Sequence, residues 1–93
     1  MRTYKTEFPS YDDQLTFPKG WIDTSWHNDA CPSFGYPMLS GEEVRIYCDY
    51  VNPNLREVEG KRFNVVMDDG INFTQLQGFD TLQEALDYCG ELK

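Results

Sequence analysis

This 93-residue chain has a single histidine and only three cysteines, and no two cysteines form a CxxC pair. The recurring zinc-site spacings are therefore missing, and no metal or cofactor is expected. Cations are also scarce. Eight Lys and Arg stand against sixteen Asp and Glu, for a net charge of -8 and a pI near 4.4. A field of that sign repels nucleic acid and anionic membranes, so direct binding to either is not expected. Long apolar runs are absent and the mean hydropathy is -0.62, which argues against a membrane-spanning helix. The opening stretch MRTYKTEFPSYDD has no apolar h-region, so no signal peptide is expected. The thiols then read as reduced cysteines in a cytoplasm. No internal repeat or long linker divides the chain, and residues 1–93 are expected to form one domain.

Aromatic residues, by contrast, are plentiful. Six Phe, six Tyr and two Trp make up 15% of the sequence. A domain this short buries a thin core, and large rings fill such a core with few residues.

The clearest periodicity begins after Ser40. In EVRIYCDYV, Val44, Ile46, Cys48 and Tyr50 alternate with Arg45, Tyr47, Asp49 and Val51, the pattern of a half-buried strand. KRFNVVMDDGINFTQLQG reads as a hairpin. A three-residue Asp68-Asp69-Gly70 loop would keep Phe63, Val65, Met67, Ile71 and Phe73 on one face, pair Met67 with Ile71, and put Gly70 in a left-handed bulge position. FDTLQEALDYCGELK reads as a helix. Thr81 and Glu84 fit a capping box, Leu82, Ala85, Leu86, Cys89 and Leu92 form an apolar stripe, and Gly90 weakens the last turn. Earlier segments are less regular. A short edge strand near Arg2 to Phe8 and a strand over Trp21 to Trp26 fit the pattern, whereas HNDACPSFGYP reads as turns. The expected fold is α+β: an antiparallel sheet of three to five strands with a C-terminal helix packed on one face.

Two groups of residues carry chemistry. In the first, His27, Asp29 and Cys31 alternate within GWIDTSWHNDACPSFGYP and could share a strand face. They would make a small metal-binding or enzymatic centre only with a fourth ligand, or with an orienting group and oxyanion donors, and no motif supplies these. A stiff loop of Asx turns and prolines, with Trp21 or Trp26 closing one end of the core, fits the stretch better. Trp26 and Tyr36 are then candidate binding anchors. The acid doublets Asp12-Asp13, Glu42-Glu43 and Asp68-Asp69 fall at turns, where turn chemistry explains them better than catalysis.

The second group lies on the helix. Asp80, Glu84, Asp87 and Glu91 are spaced to line one helical face, with Lys93 the only nearby cation in the sequence, and Glu91 stands at the unfavourable end of the helix dipole. From Val66 onward there are six acids and one base. Together with Asp68 and Asp69 at the hairpin, these carboxylates could present a row of charge resembling a phosphate backbone to a Lys/Arg-lined groove. A solvated acidic face is the simpler alternative.

Short length, strong acidity, no catalytic motif and no targeting signal together resemble the small accessory proteins of phages and mobile elements, and the size and charge are similar to those of anti-CRISPR inhibitors. DTSWHNDACPSF is similar to a segment that recurs in small phage-type proteins. The resemblance implies a non-enzymatic inhibitor in the cytoplasm of a host bacterial cell, docked on a basic nucleic-acid-binding surface of a host protein or ribonucleoprotein complex. No family site transfers residue by residue. The other expectations are the His27/Asp29/Cys31 centre and a phage structural or assembly protein.

Overall fold

The computed structural model describes residues 3–57 and 60–92. Arg2 and Lys93, which figure in the expectations above, lie outside them. The chain folds as α1 (Tyr4–Glu7), β1 (Ile22–Asp23), β2 (Ser33–Pro37), β3 (Glu43–Cys48), β4 (Phe63–Asp68), β5 (Phe73–Phe79) and α2 (Leu82–Leu92). The strands pair in sequence order, each antiparallel to the next, as one five-stranded meander. The C-terminal helix packs against β4 and β5. This is the expected α+β architecture.

β3 shows why the sheet has two unlike faces. Its alternation puts Val44, Ile46 and Cys48 fully inside, opposite Met67, Val65 and Phe63 of β4. Ala85 and Cys89 of α2 close over them, and Tyr4, Leu15 and Phe34 complete the cluster. Each large buried side chain contributes about 1.5–3 kcal/mol, so a few such residues hold a small domain. Cys48 and Cys89 serve as small core residues, and Trp21, packed against the cluster beside Phe17 and Tyr36, closes one edge.

Several local expectations are corrected. The first residues form a short helix where an edge strand was expected: Thr3 N–H donates to Thr6 Oγ1 at 2.8 Å, and the turn drops the Tyr4 hydroxyl where Leu15 N–H donates to it at 3.0 Å. β1 covers only Ile22 and Asp23, because Asp23 Oδ1 accepts Ser25 N–H at 3.0 Å and turns the chain aside. Ser33–Pro37, expected to be turns, is a sheet strand. Gly35 sits within it because the Glu43 side chain crosses the strand there, and a Cβ would lie 2.7 Å from the Glu43 carboxyl carbon. Pro37 is tolerated as the last residue of the strand.

The β4–β5 hairpin also differs from expectation. Asp68 pairs with Phe73, Met67 with Thr74, and Val66 with Gln75, leaving a four-residue loop from Asp69 to Asn72. Asp69 Oδ1 accepts the N–H groups of Ile71 at 2.9 Å and Asn72 at 2.7 Å, so side-chain turn chemistry sets the loop length. Gly70 does adopt positive φ, at 93°. A register shift between Val65 and Val66 makes Leu76 the extra residue of a bulge. Leu76 and Phe79 thereby reach the core, while Ile71 and Phe73, expected inside, project outward. α2 continues through Gly90 to Leu92.

The first acid doublet is structural. The two Asp12 carboxylate oxygens accept Val51 and Asn52 N–H at 2.9 and 2.8 Å, and Asp13 meets Arg62 Nη2 at 2.7 Å. They pin the irregular N-terminal segment to the loop after β3.

Candidate functional site

All four acids expected on the helix face are exposed, but only Glu84, Asp87 and Glu91 lie on α2: the helix starts at Leu82, after the Thr81 cap, and leaves Asp80 in the bend before it. Asp80 Oδ2 lies 2.9 Å from Lys61 Nζ. The nearby cation is thus Lys61, which the pairing of Phe63 with Phe79 brings beside the end of β5. Glu84 completes the expected capping box, with Thr81 Oγ1 donating to its carboxylate at 2.9 Å and accepting its N–H at 3.2 Å. Asp87 accepts from Gln83 Nε2 at 2.8 Å. Among the described residues, none of Glu84, Asp87 and Glu91 pairs with a Lys or Arg.

At the hairpin, Asp68 Oδ1 accepts Gly70 N–H at 2.8 Å and its other oxygen lies 3.7 Å from Arg45 Nη2. The Asn72 and Ile71 N–H groups hold the Asp69 carboxyl below its ordinary range. Both acids shape the turn while keeping their charge at its surface. Ile71 is 88% exposed and Phe73 60%, and Leu39 stands fully exposed in the β2–β3 turn at the same end of the sheet. Sequence periodicity assigned Ile71 and Phe73 to the core. Their exposure follows from the four-residue loop that the Asp69 carboxylate holds, which periodicity does not encode.

Trp26 and Tyr36 lie elsewhere. Trp26 is exposed against the His27 ring, with centroids 4.3 Å apart, just beyond β1 at the sheet edge opposite β5 and the hairpin. Tyr36 is half-buried beside Trp21. Trp26 and Tyr36 therefore lie apart from the acids, and the acids themselves divide: Asp68, opposite Phe73, stands at the hairpin end of β5 on the face turned away from α2, whereas Asp80 follows the other end of β5.

His27, Asp29 and Cys31 do not converge on one centre. His27 Nδ1 and main-chain N–H both meet Glu7 Oε1, at 3.0 and 3.1 Å. Asp29 N–H closes a turn onto Trp26 O at 2.9 Å. Cys31 is buried, and burial first, then the charge of Asp49, pushes its thiol up to about 12, so it is protonated at neutral pH. Among the described residues, no three His, Cys, Asp or Glu side chains gather as a metal site requires.

The sheet face turned away from α2 carries a pocket that the sequence did not reveal. It holds about 410 Å³ and is lined by Tyr47 and Asp49 of β3 and its end, Asn64 and Val66 of β4, Gln75 of β5, and Cys31 before β2. No family model matches the sequence, and neither a curated protein nor a solved structure matches it.

Proposed function

We propose that the chain is a non-enzymatic binding protein that docks on a basic, nucleic-acid-binding surface of another protein or ribonucleoprotein complex and blocks it. One observation carries this: the hairpin end exposes Ile71, Phe73 and Leu39 beside Asp68 and Asp69, with Asp68 and Phe73 on the sheet face turned away from α2, and the exposed α2 acids form a second charged surface on the other face. Apolar anchors next to surface charge give an interface both affinity and steering. Three arginines are meanwhile engaged within the chain. Arg45 is held by Glu43 at 2.6 Å, Arg62 by Asp13, and Arg56 Nε donates to Tyr50 O at 2.7 Å. The finer form of this reading, a phage or mobile-element inhibitor of the anti-CRISPR kind, is supported by the shared size, acidity and lack of a catalytic motif.

Capture from a bacterial lysate at low and high salt, followed by mass spectrometry, tests it. The expected result is a nucleic-acid-binding complex held at low salt and released at high salt, because exposed charges are screened beyond about 8–10 Å at physiological ionic strength. The quadruple variant Asp80→Asn, Glu84→Gln, Asp87→Asn, Glu91→Gln is expected to bind more weakly and with a shallower salt dependence. Unchanged binding by that variant would remove the helix from the interface.

A further inference from the structure

Asp49 is 8% exposed, yet it lines the open-face pocket. Its Oδ1 accepts Tyr50 N–H at 2.9 Å. Among the described residues, no Lys or Arg pairs with its carboxylate. The two cations near it are engaged elsewhere: Arg62 Nε donates to the Asp49 main-chain carbonyl at 2.9 Å while its Nη2 holds Asp13, and Lys61 Nζ turns out to Asp80. A largely buried carboxylate that opens onto a pocket and has no cation partner among the described residues is a ready acceptor for a cation delivered there. The rest of the lining narrows the choice of cation. Tyr47 contributes an aromatic ring, and Asn64 and Gln75, joined by an Nε2 to Oδ1 bond of 3.3 Å, contribute amides beside the apolar floor of Val66. A planar group that donates in a fork, stacks on a ring and is weakly hydrated suits these walls, whereas a compact ammonium uses only the carboxylate. The volume, about 410 Å³, lies within the range of roughly 300–1,000 Å³ for pockets that enclose a side chain or small ligand.

We propose that this pocket receives an arginine side chain of the basic partner, with the Asp49 carboxylate accepting from the guanidinium and the Tyr47 ring packing on its face. The partner's identity as a basic protein rests on the docking reading above. The pocket itself can be tested without it, on the isolated chain.

The experiment titrates the isotope-labelled wild-type protein with N-acetyl-arginine amide and with N-acetyl-citrulline amide, its uncharged isostere, and follows backbone and side-chain amides by NMR. The arginine probe is expected to bind in the millimolar range and to shift Val66, Gln75 and the Asn64 side-chain amide. Citrulline is expected to bind at least tenfold more weakly. Asp49→Asn, with its fold checked by circular dichroism, is expected to lose at least tenfold of the arginine affinity. Equal binding of the two probes to wild type overturns the proposal, and so do shifts confined to α2 or the hairpin, whether or not the variant folds. Discrimination between the probes without any captured partner would uphold the pocket and count against the docking reading alone. Captured partner without discrimination would do the reverse.

Discussion

Arg62→Ala is expected to lower stability by about 2–3 kcal/mol, read as a fall in thermal midpoint of about 8–24 °C. Arg62 ties three parts of the chain together. Its Nε donates to Asp49 O at 2.9 Å, its Nη2 to Tyr11 OH at 3.1 Å and to Asp13 at 2.7 Å, and its guanidinium lies 4.6 Å from the centre of the Phe63 ring. Truncation strips a donor from the Asp49 carbonyl and uncovers the Phe63 ring in one step. The Asp13 side chain is 42% exposed, so its ion pair contributes little after solvent screening, and the larger part comes from the less accessible hydrogen bonds. Arg62→Lys keeps the charge but not the fork, and is expected to recover less than half of the loss. A midpoint for Arg62→Ala within about 2 °C of wild type, a shift worth well under 1 kcal/mol, would show that the N-terminal segment is held by other interactions.

The same node predicts the acid limb of stability. The hydrogen bond from Arg62 holds the Asp13 carboxyl below its ordinary range. For Asp12, desolvation raises the pKa, but the N–H bonds from Asn52 and Val51 outweigh it and the net direction is also down. Carboxyls depressed in the folded state contribute stability that is fully present above their unfolded value, near 3.9, and lost as pH falls through the folded values. Stability is therefore expected to be flat with respect to these groups above about pH 5 and to decline below about pH 4. In Asp12→Asn, Asp13→Asn the decline is expected to be shallower, as chemical denaturation across that pH range would show. An unchanged acid limb would place its origin in other carboxylates.

Elements whose patterning and local chemistry agree were legible in the sequence. β3 is one, because every second residue from Val44 to Cys48 is fully buried. α2 is another, because its stripe and its Thr81–Glu84 box specify the same helix. What stayed hidden depends on partners distant in sequence. Ser33–Pro37 contains Gly35 and Pro37 and reads as a breaker segment, but Gly35 leaves room for the side chain of Glu43, which crosses it from the neighbouring strand. The hairpin register misled for a different reason. Counting apolar residues to one face favours a three-residue loop, but the Asp69 carboxylate bonds two main-chain N–H groups in a four-residue loop, and the Leu76 bulge restores the core face further down. The site followed the same division. Glu84, Asp87 and Glu91 could be placed on the helix from spacing alone, whereas Asp80 falls before its first turn. The Asp80–Lys61 pair, the exposure of Ile71 and Phe73 and the Asp49 pocket all depend on strand pairing, which periodicity does not encode.

That corrected register leads to the prediction with the largest expected functional effect. Ile71→Ser with Phe73→Ser is expected to weaken capture of a basic partner at least about 100-fold, since truncating a buried interface anchor typically costs about 2 kcal/mol or more and such losses are not fully additive. Folding is expected to change by less than about 1 kcal/mol, because both side chains are already largely in water. Within the chain, the double change chiefly removes the approach of the Phe73 ring to the Arg45 guanidinium, 5.6 Å from the ring centre, and Arg45 stays anchored by Glu43. Salt dependence separates this variant from the helix variant. Removing apolar anchors leaves the charges in place, so the salt slope is expected to match wild type at lower affinity, whereas neutralising α2 flattens the slope. A double serine variant that holds the partner as tightly as wild type would exclude the hairpin tip and leave the helix face as the interface. If the serine variant also lost the salt dependence, the exposed apolar residues would be positioning the acids and would not themselves be the anchors.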